Sequence, residues 1–327
     1  IWLSEIILQQ TRVNQGMPYY YAFTEHFPSV YELAKADIDE VYKLWQGLGY
    51  YSRAKNLHAC AQKIVSDYGG VFPSKKTELL SLNGIGDYTA SAISSFAFEK
   101  ENPVVDGNVY RVLSRYFGIY TCVPSQKAYK QFYDIAFELM QEHKPSLFNQ
   151  AIMEFGALQC TPKPDCSECV FRENCFAYTN NLIDKLPVKK GKTASANRYF
   201  YYFLIKTSNN KILIEKRKAK DIWQNLFQFP LVESNMALDE KEWGIKSSEF
   251  MSKFATEYLF TDFNLHKKHV LSHQNIHASF YGVKLFEYAN MHDKQYIEID
   301  IHDIGNFAFP RLITKNGEFL KNSIIQF

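Results

Sequence analysis

The chain has no uninterrupted apolar run approaching the ~18 residues that a membrane-spanning helix needs, so a helical membrane protein is excluded and no membrane partner is expected. It also lacks a marked charge of either sign: 37 Lys and Arg against 35 Asp and Glu leave a formal charge of +2. That balance neither announces nor excludes a nucleic-acid partner, because an enzyme gripping a short duplex needs a basic face rather than a basic whole. Internal repeats and low-complexity tracts are missing too, which removes solenoids and disordered scaffolds. The opening IWLSEIILQQTR has neither a basic region nor a small-residue cleavage site, so no secretory leader is expected there. It reads as an amphipathic helix already under way, and with no initiator Met the natural chain is expected to begin upstream of Ile1.

What is present points to two domains, since 327 residues exceed the size at which one core usually stops growing. Aromatic residues are abundant, with 22 Tyr and 26 Phe. Most should pack in cores, while tyrosines left at a surface suit stacking on bases or wedging between them. Through residues 1–158 apolar residues recur at three and four spacing, in 3–15, 29–46, 53–67, 89–98, 108–117, 127–142 and 147–158, which predicts helices almost throughout. A cysteine loop over 159–178 closes this first domain, 1–178. The polar, basic segment 179–198 reads as a linker, of a kind that could lie along DNA phosphates. Beyond it, 199–206, 211–217, 226–232 and 278–288 read as strands and 247–260 as a helix, making 199–327 an α+β domain. The expected fold class is therefore multidomain, an all-α domain followed by an α+β one.

Within the helical half, LNGIGDYTASAI (82–93) carries two glycines one residue apart between helical segments. Gly84 and Gly86 permit a tight hairpin and leave backbone amides bare at the start of the next helix, where a DNA phosphate can bind without sequence being read. A plain interhelical turn is the simpler alternative. Twenty residues past Gly86 stands Asp106, in PVVDGNVYRVLSR (103–115). It is a good N-cap for a helix starting at Gly107 or Asn108. It is also a carboxylate that could stabilise the oxocarbenium formed when an N-glycosidic bond breaks. A departing base needs a proton, and Glu5 in SEIILQQT could supply it if a partly apolar pocket raised its pKa; otherwise it is an exposed helical Glu.

Six cysteines fall unevenly: Cys60 and Cys122 stand alone, whereas Cys160, Cys166, Cys169 and Cys175 follow a C-x5-C-x2-C-x5-C spacing. Four thiols so crowded, in a chain without secretory features, indicate metal ligation rather than a disulfide framework. Either zinc or a [4Fe–4S] cluster suits that donor set.

SEIILQQTRV (4–13), WQGLGYYSRAKNL (45–57), LNGIGDYTA (82–90), VVDGNVYRV (104–112) and FGALQCTP (155–162), in this order, resemble the MutY-type adenine DNA glycosylases of the helix-hairpin-helix superfamily. The resemblance implies a glycosylase domain with an iron–sulfur loop, followed by a Nudix-like domain that recognises 8-oxoguanine. Carried across by position, it implies that Glu5 protonates adenine N7 and later positions water. It implies that Asp106 stabilises the oxocarbenium, that Asn108 orients Asp106, and that Tyr88 lies beside the reacting sugar. Gln10 and Tyr50, with Leu8 near them, match residues that enter the duplex around the estranged guanine. Ser272 and His273, within HVLSHQ, match the turn that probes the oxidised base, with Leu271 in place of the family's aromatic. The family position of the cysteines implies a [4Fe–4S] cofactor on Cys160, Cys166, Cys169 and Cys175, although the first gap is one residue shorter than usual.

A lysine at the place of Tyr88 would form a Schiff base in related glycosylase/lyases; a phenol cannot, so a monofunctional enzyme is expected. Its partner is duplex DNA with A·8-oxoguanine or A·G mispairs, met as a monomer in the bacterial cytoplasm or nucleoid. Residues 247–260 offer only Glu249 and Glu257, so no Nudix pyrophosphatase activity is expected. The rival readings are a bifunctional or thymine/uracil mismatch glycosylase of the same superfamily and a lesion-binding protein without turnover.

Overall fold

The computed structural model describes residues 1–191, 195–287 and 295–315. The chain divides into two compact units, Ile1–Lys35 with Asn56–Lys192 and Ala36–Lys55 with Thr193–Phe327.

The first unit is helical: α1 (Trp2–Leu8), α2 (Val13–His26), α3 (Val30–Lys35), the greater part of α5 (Ser52–Tyr68), α6 (Lys76–Leu79), α7 (Asp87–Phe98), α8 (Gly107–Phe117), α9 (Gln126–Met140), α10 (Pro145–Leu158) and the short α11 (Phe176–Thr179). Helix α4 (Ile38–Trp45) and the first residues of α5 belong with the second unit. Local chemistry sets several ends. Ser125 Oγ accepts from the Ala128 amide at 3.2 Å to open α9, and Pro145 occupies the first turn of α10, where its missing N–H costs nothing. Gly118 ends α8 at φ +67°, and a Cβ there would come within 2.4 Å of the Phe176 ring. The helices bury two apolar clusters. One joins α5, α6 and α7 through Cys60, Ile64, Leu79, Leu82, Ile85 and Ile93; the other joins α8 and α9 through Val109, Leu113, Phe132 and Ala136.

The expected linker is partly an ordered tail of this unit. The Val123 amide donates to the Val188 carbonyl at 2.8 Å, Leu186 is buried, and Arg115 Nε donates to the carbonyls of Ile183 and Leu186. A polar composition concealed this, because the segment's own hydrogen-bonding groups here are backbone carbonyls.

The second unit holds a mixed sheet ordered β3-β2-β1-β6-β5, with β4 on β1 and β7 on β2. Its strands are β1 (Ala196–Lys206), β2 (Ile212–Lys216), β3 (Phe227–Gln228), β4 (Leu231–Ser234), β5 (Tyr258–Val270), β6 (Gln274–Leu285) and β7 (Tyr296–Ile299). Strand β1 runs parallel to β6 and is buried on both faces, which explains its nearly unbroken apolar sequence. Phe200, Tyr202 and Leu204 enter one core with Phe229 and Phe280, whereas Tyr201, Phe203 and Ile205 enter the other with Phe250 and Phe254. Helix α12 (Glu240–Met251) covers the second core, and the short α13 (Arg311–Thr314) contributes Leu312 and Ile313 to the first.

The helix expected over 247–260 thus lies earlier, and Tyr258 onward is strand. Its start was written in a capping box, with Asp239 accepting from the Glu242 amide and Glu242 accepting from the Asp239 amide. Glu240 and Glu242 accordingly join Glu249 on this helix. Strand β5 escaped notice because HKKH breaks the apolar pattern; it is an edge strand, where such charges discourage further pairing.

Candidate active site

The hairpin between α6 and α7 requires glycine at Gly84, whereas the structure leaves room for a side chain at Gly86. Gly84 has φ +75°, and a Cβ there would meet Asn56 Cβ at 2.6 Å. Gly86 is the extended N-cap of α7 without a side-chain cap, and a Cβ on it would meet nothing within 4 Å. The ground above the first amides of α7 is therefore open. Tyr88, in the first turn of that helix, stands beside the Glu5 carboxyl on α1. Burial raises the pKa of Glu5; the neighbouring Tyr88 hydroxyl opposes this, and Asp106 reinforces it. Burial, and then the charge of Glu5, hold the Tyr88 phenol far above its ordinary value. Gln9 Nε2 donates to Thr89 Oγ1 at 3.2 Å, a further tie between α1 and α7.

Asp106 is indeed the N-cap of α8. Its Oδ1 accepts from the amides of Asn108 and Val109, both at 2.8 Å, and its Oδ2 accepts from Asn108 Nδ2 at 2.8 Å. The capping and chemical readings are compatible, since the cap fixes one oxygen and the Asn108 amide the other. Two residues that local sequence did not single out complete this support. Arg111 Nη2 donates to Asn108 Oδ1 at 2.9 Å and to the Gly156 carbonyl, while its Nε donates to the Cys160 carbonyl at 2.6 Å. Asn149, fully buried on α10, accepts from the Val104 amide at 2.9 Å and donates to Ser95 Oγ and the Asn102 carbonyl. It thereby anchors the extended segment leading into Asp106. Arg111 lies one turn beyond Asn108, a spacing that could have flagged it; Asn149 left no such mark.

The residues expected to meet DNA divide between the units. In the first, Gln10 is exposed with φ +54°, and Leu8 is half-buried over Gly16, where a Cβ would come within 2.8 Å of Leu8 Cδ2. In the second, Tyr50 is 48% exposed with φ +49°. A left-handed backbone is uncommon outside glycine and concentrates where surrounding structure enforces it. Beside Tyr50, Arg53 donates to the Gly49 carbonyl at 3.0 Å and lies 5.1 Å from the Trp45 ring centroid and 5.6 Å from that of Tyr50. Ser272 and His273 occupy the exposed tip of the β5–β6 hairpin, closed by the Leu271 amide on the Gln274 carbonyl at 2.9 Å. Leu271, partly buried, packs against the core that contains Phe280. Tyr50 Oη and Ser272 Oγ, both in the second unit, stand 2.8 Å apart.

Cys160, Cys166, Cys169 and Cys175 line one cavity of about 520 Å³, whose remaining wall is mostly apolar, including Val112, Phe148 and Phe155, and also carries Arg115 and Arg172. Burial and then the neighbouring thiols raise the Cys166 pKa, as expected when sulfurs share a small space. Arg115 Nη1 donates to Cys160 Sγ at 3.4 Å and to the Thr161 carbonyl at 2.7 Å, which shapes the shortened first gap. Among the described residues no group of three or more His, Cys, Asp or Glu is arranged to hold a metal ion. The all-sulfur donor set, the cavity and the adjacent guanidinium nonetheless fit an anionic thiolate-bound cluster.

The helical unit, with its hairpin, places the chain in a class of DNA repair proteins: the HhH-GPD superfamily of base excision DNA repair proteins matches residues 3–135, and a NUDIX domain matches 201–316. The adenine DNA glycosylase of Buchnera aphidicola subsp. Acyrthosiphon pisum is 36% identical over 276 residues, covering 83% of this chain and 78% of that protein. That of Buchnera aphidicola subsp. Schizaphis graminum is 34% identical over 332 residues, covering 98% and 91%. The chain belongs to the adenine DNA glycosylase family. Among solved structures, a thermostable thymine-DNA glycosylase superposes with a TM-score of 0.51 at 30% identity, covering 55% of this chain and 83% of that one.

Proposed function

We propose that the chain hydrolyses the N-glycosidic bond of adenine mispaired with 8-oxoguanine or guanine in duplex DNA, and leaves the abasic strand intact. The observation that carries this reading is the Asp106 carboxylate fixed on both oxygens, with the buried Glu5 carboxyl and the Tyr88 phenol beside it. It pairs an acid biased toward its protonated form with a carboxylate that cannot turn away.

The adenine would be flipped out of the stack, which costs least for a mispaired base. Glu5 gives its proton to adenine N7, the C1′–N9 bond breaks with its electrons leaving on the base, and positive charge develops on the sugar. Asp106 stabilises that charge, and the hydrogen bonds from Asn108 keep it from reorienting. Glu5, now a carboxylate, accepts a proton from the water that attacks C1′. The Tyr88 phenol sits beside the sugar without an amine to form a Schiff base, so no strand-cleaving step follows.

The open amides at the start of α7 suit a phosphate, while Leu8 and Gln10 in the first unit, and Tyr50, Ser272 and His273 in the second, are each of a kind that suits contact with the estranged guanine. Cys160, Cys166, Cys169 and Cys175 would hold a [4Fe–4S] cluster, which when bound ties the loop into one rigid DNA-facing element. Arg115 offsets the negative charge of the thiolates.

The test is incubation with duplexes carrying A opposite 8-oxoguanine, G or T, followed by alkali to reveal abasic sites. Release is expected opposite 8-oxoguanine and G, with strand breaks appearing only after alkali. Binding without adenine release would overturn the enzyme reading, and breaks before alkali would overturn the monofunctional one.

A further inference from the structure

Lys76 on α6 and Asp87, the first residue of α7, face each other across the hairpin with Nζ and Oδ1 3.6 Å apart. The lysine side chain is only 17% exposed, whereas the aspartate is 57% exposed. Two tyrosines of α9 cage the ammonium: it donates to Tyr129 Oη at 3.2 Å and lies 4.4 Å from the Tyr133 ring centroid. Tyr133 is itself fixed, its hydroxyl donating to Asn102 Oδ1 at 3.1 Å. Burial lowers the Lys76 pKa, and Asp87 works against that.

An aspartate in the first turn suits the helix dipole. It also sets a full negative charge beside the amides that a DNA phosphate would use. We propose that Lys76 is the charge-compensating residue of the hairpin, neutralising Asp87 so that the start of α7 stays attractive to a phosphate. This rests on the reading of the hairpin as a DNA-backbone site. The tyrosine cage holds the cation in place before DNA arrives, so no side chain has to be ordered on binding. Phosphates carry no sequence information, so the effect falls equally on mispaired and fully paired duplexes.

The test is a set of dissociation constants at about 50 mM salt, where backbone contacts weigh most. The probes are a duplex with a tetrahydrofuran abasic analogue opposite guanine and a fully paired duplex of the same sequence. Lys76→Met should weaken both by about fivefold, the worth of one close charge near water, and Asp87→Asn should tighten both. The double variant should return to within about twofold of wild type, because local charge is again balanced. Lys76→Arg should bind as wild type does. A Lys76→Met protein that binds normally overturns the proposal. So does a double variant as weak as Lys76→Met, which would make Lys76 a direct phosphate ligand or a strut of the fold. If thermal unfolding shows that Lys76→Met does not fold, Asp87→Asn decides, and no tightening overturns the compensation. Wild type binding neither duplex would remove the DNA-backbone reading and this proposal with it, whereas wild-type binding without the expected responses removes only this proposal.

Discussion

Asn108 and Asp106 hold each other twice: the Asn108 backbone amide donates to Asp106 Oδ1 and its side-chain amide to Oδ2, each at 2.8 Å. One residue thus serves both the helix cap and the carboxylate's orientation. Substitutions can separate these roles because Asn caps a helix about as well as Asp does.

Asp106→Asn keeps the cap through its amide oxygen but sets an Nδ2 against the Asn108 Nδ2 donor. It is expected to unfold within a few °C of wild type and bind mispaired DNA, while single-turnover adenine release falls ~10³-fold or more. Asp106→Ala should lose the same activity and, in addition, about 1 kcal/mol of stability. An Asp106→Asn protein with near-normal release would remove the electrostatic role of the carboxylate.

Asn108→Ala leaves the cap on Oδ1 and frees Oδ2. Release should slow by about 10- to 100-fold, with binding of an abasic-analogue duplex little changed. Equal losses in binding and rate would mean that Asn108 supports the fold of the loop rather than the orientation of Asp106.

The raised pKa of Glu5 has two readable consequences. Proton donation requires the neutral acid, so the single-turnover rate should fall as pH rises through a value above the ordinary carboxylate range, and Glu5→Gln should be inactive throughout. For stability, a raised folded-state pKa means that folding favours the protonated form. That contribution is complete below the unfolded value and lost as pH rises through the folded one. Glu5→Gln should therefore melt above wild type at about pH 8, with the gap closing toward about pH 4. Melting curves that stay superimposed across this range would contradict the burial of Glu5.

Tyr50→Phe removes the hydroxyl that stands 2.8 Å from Ser272 Oγ while leaving the ring that Arg53 supports. The ratio of adenine release from A·8-oxoguanine to that from A·G should fall by about threefold to tenfold, the usual worth of one such hydrogen bond. Ser272→Ala should lower it similarly, and the double variant should do no worse than either single one. Full additivity would show that the two hydroxyls act apart.

The purified protein should show a broad absorption band near about 400 nm, as thiolate-bound iron–sulfur centres do, with about four irons per chain. Cys166→Ser should lose the band and the iron together. Stoichiometric zinc without the band would reassign the loop.

Much of this was legible in one dimension because the relevant physics is local. Two glycines one residue apart specify a hairpin, and a carboxylate before GNVYRV specifies a cap, since the groups involved are sequence neighbours. The apolar run of β1 likewise announced a strand, and its parallel pairing with β6 shows why both faces are buried. Strand β5 and the early start of α12 were harder, as one depends on its partner β6 and the other on a capping pair in a polar stretch.

The sequence by itself determined which chemical groups are available: an acid at Glu5, a carboxylate at Asp106, a phenol rather than an amine at Tyr88, and four crowded thiols. Tertiary structure alone decided what those groups are like. Glu5 gains its raised pKa from burial against α7, a helix begun some eighty residues later, and Asp106 is steadied by Asn149, Arg111 and the Cys160 carbonyl through separate elements. Desolvation and hydrogen-bond geometry depend on what surrounds a side chain in space, and residue type and spacing carry only part of that information.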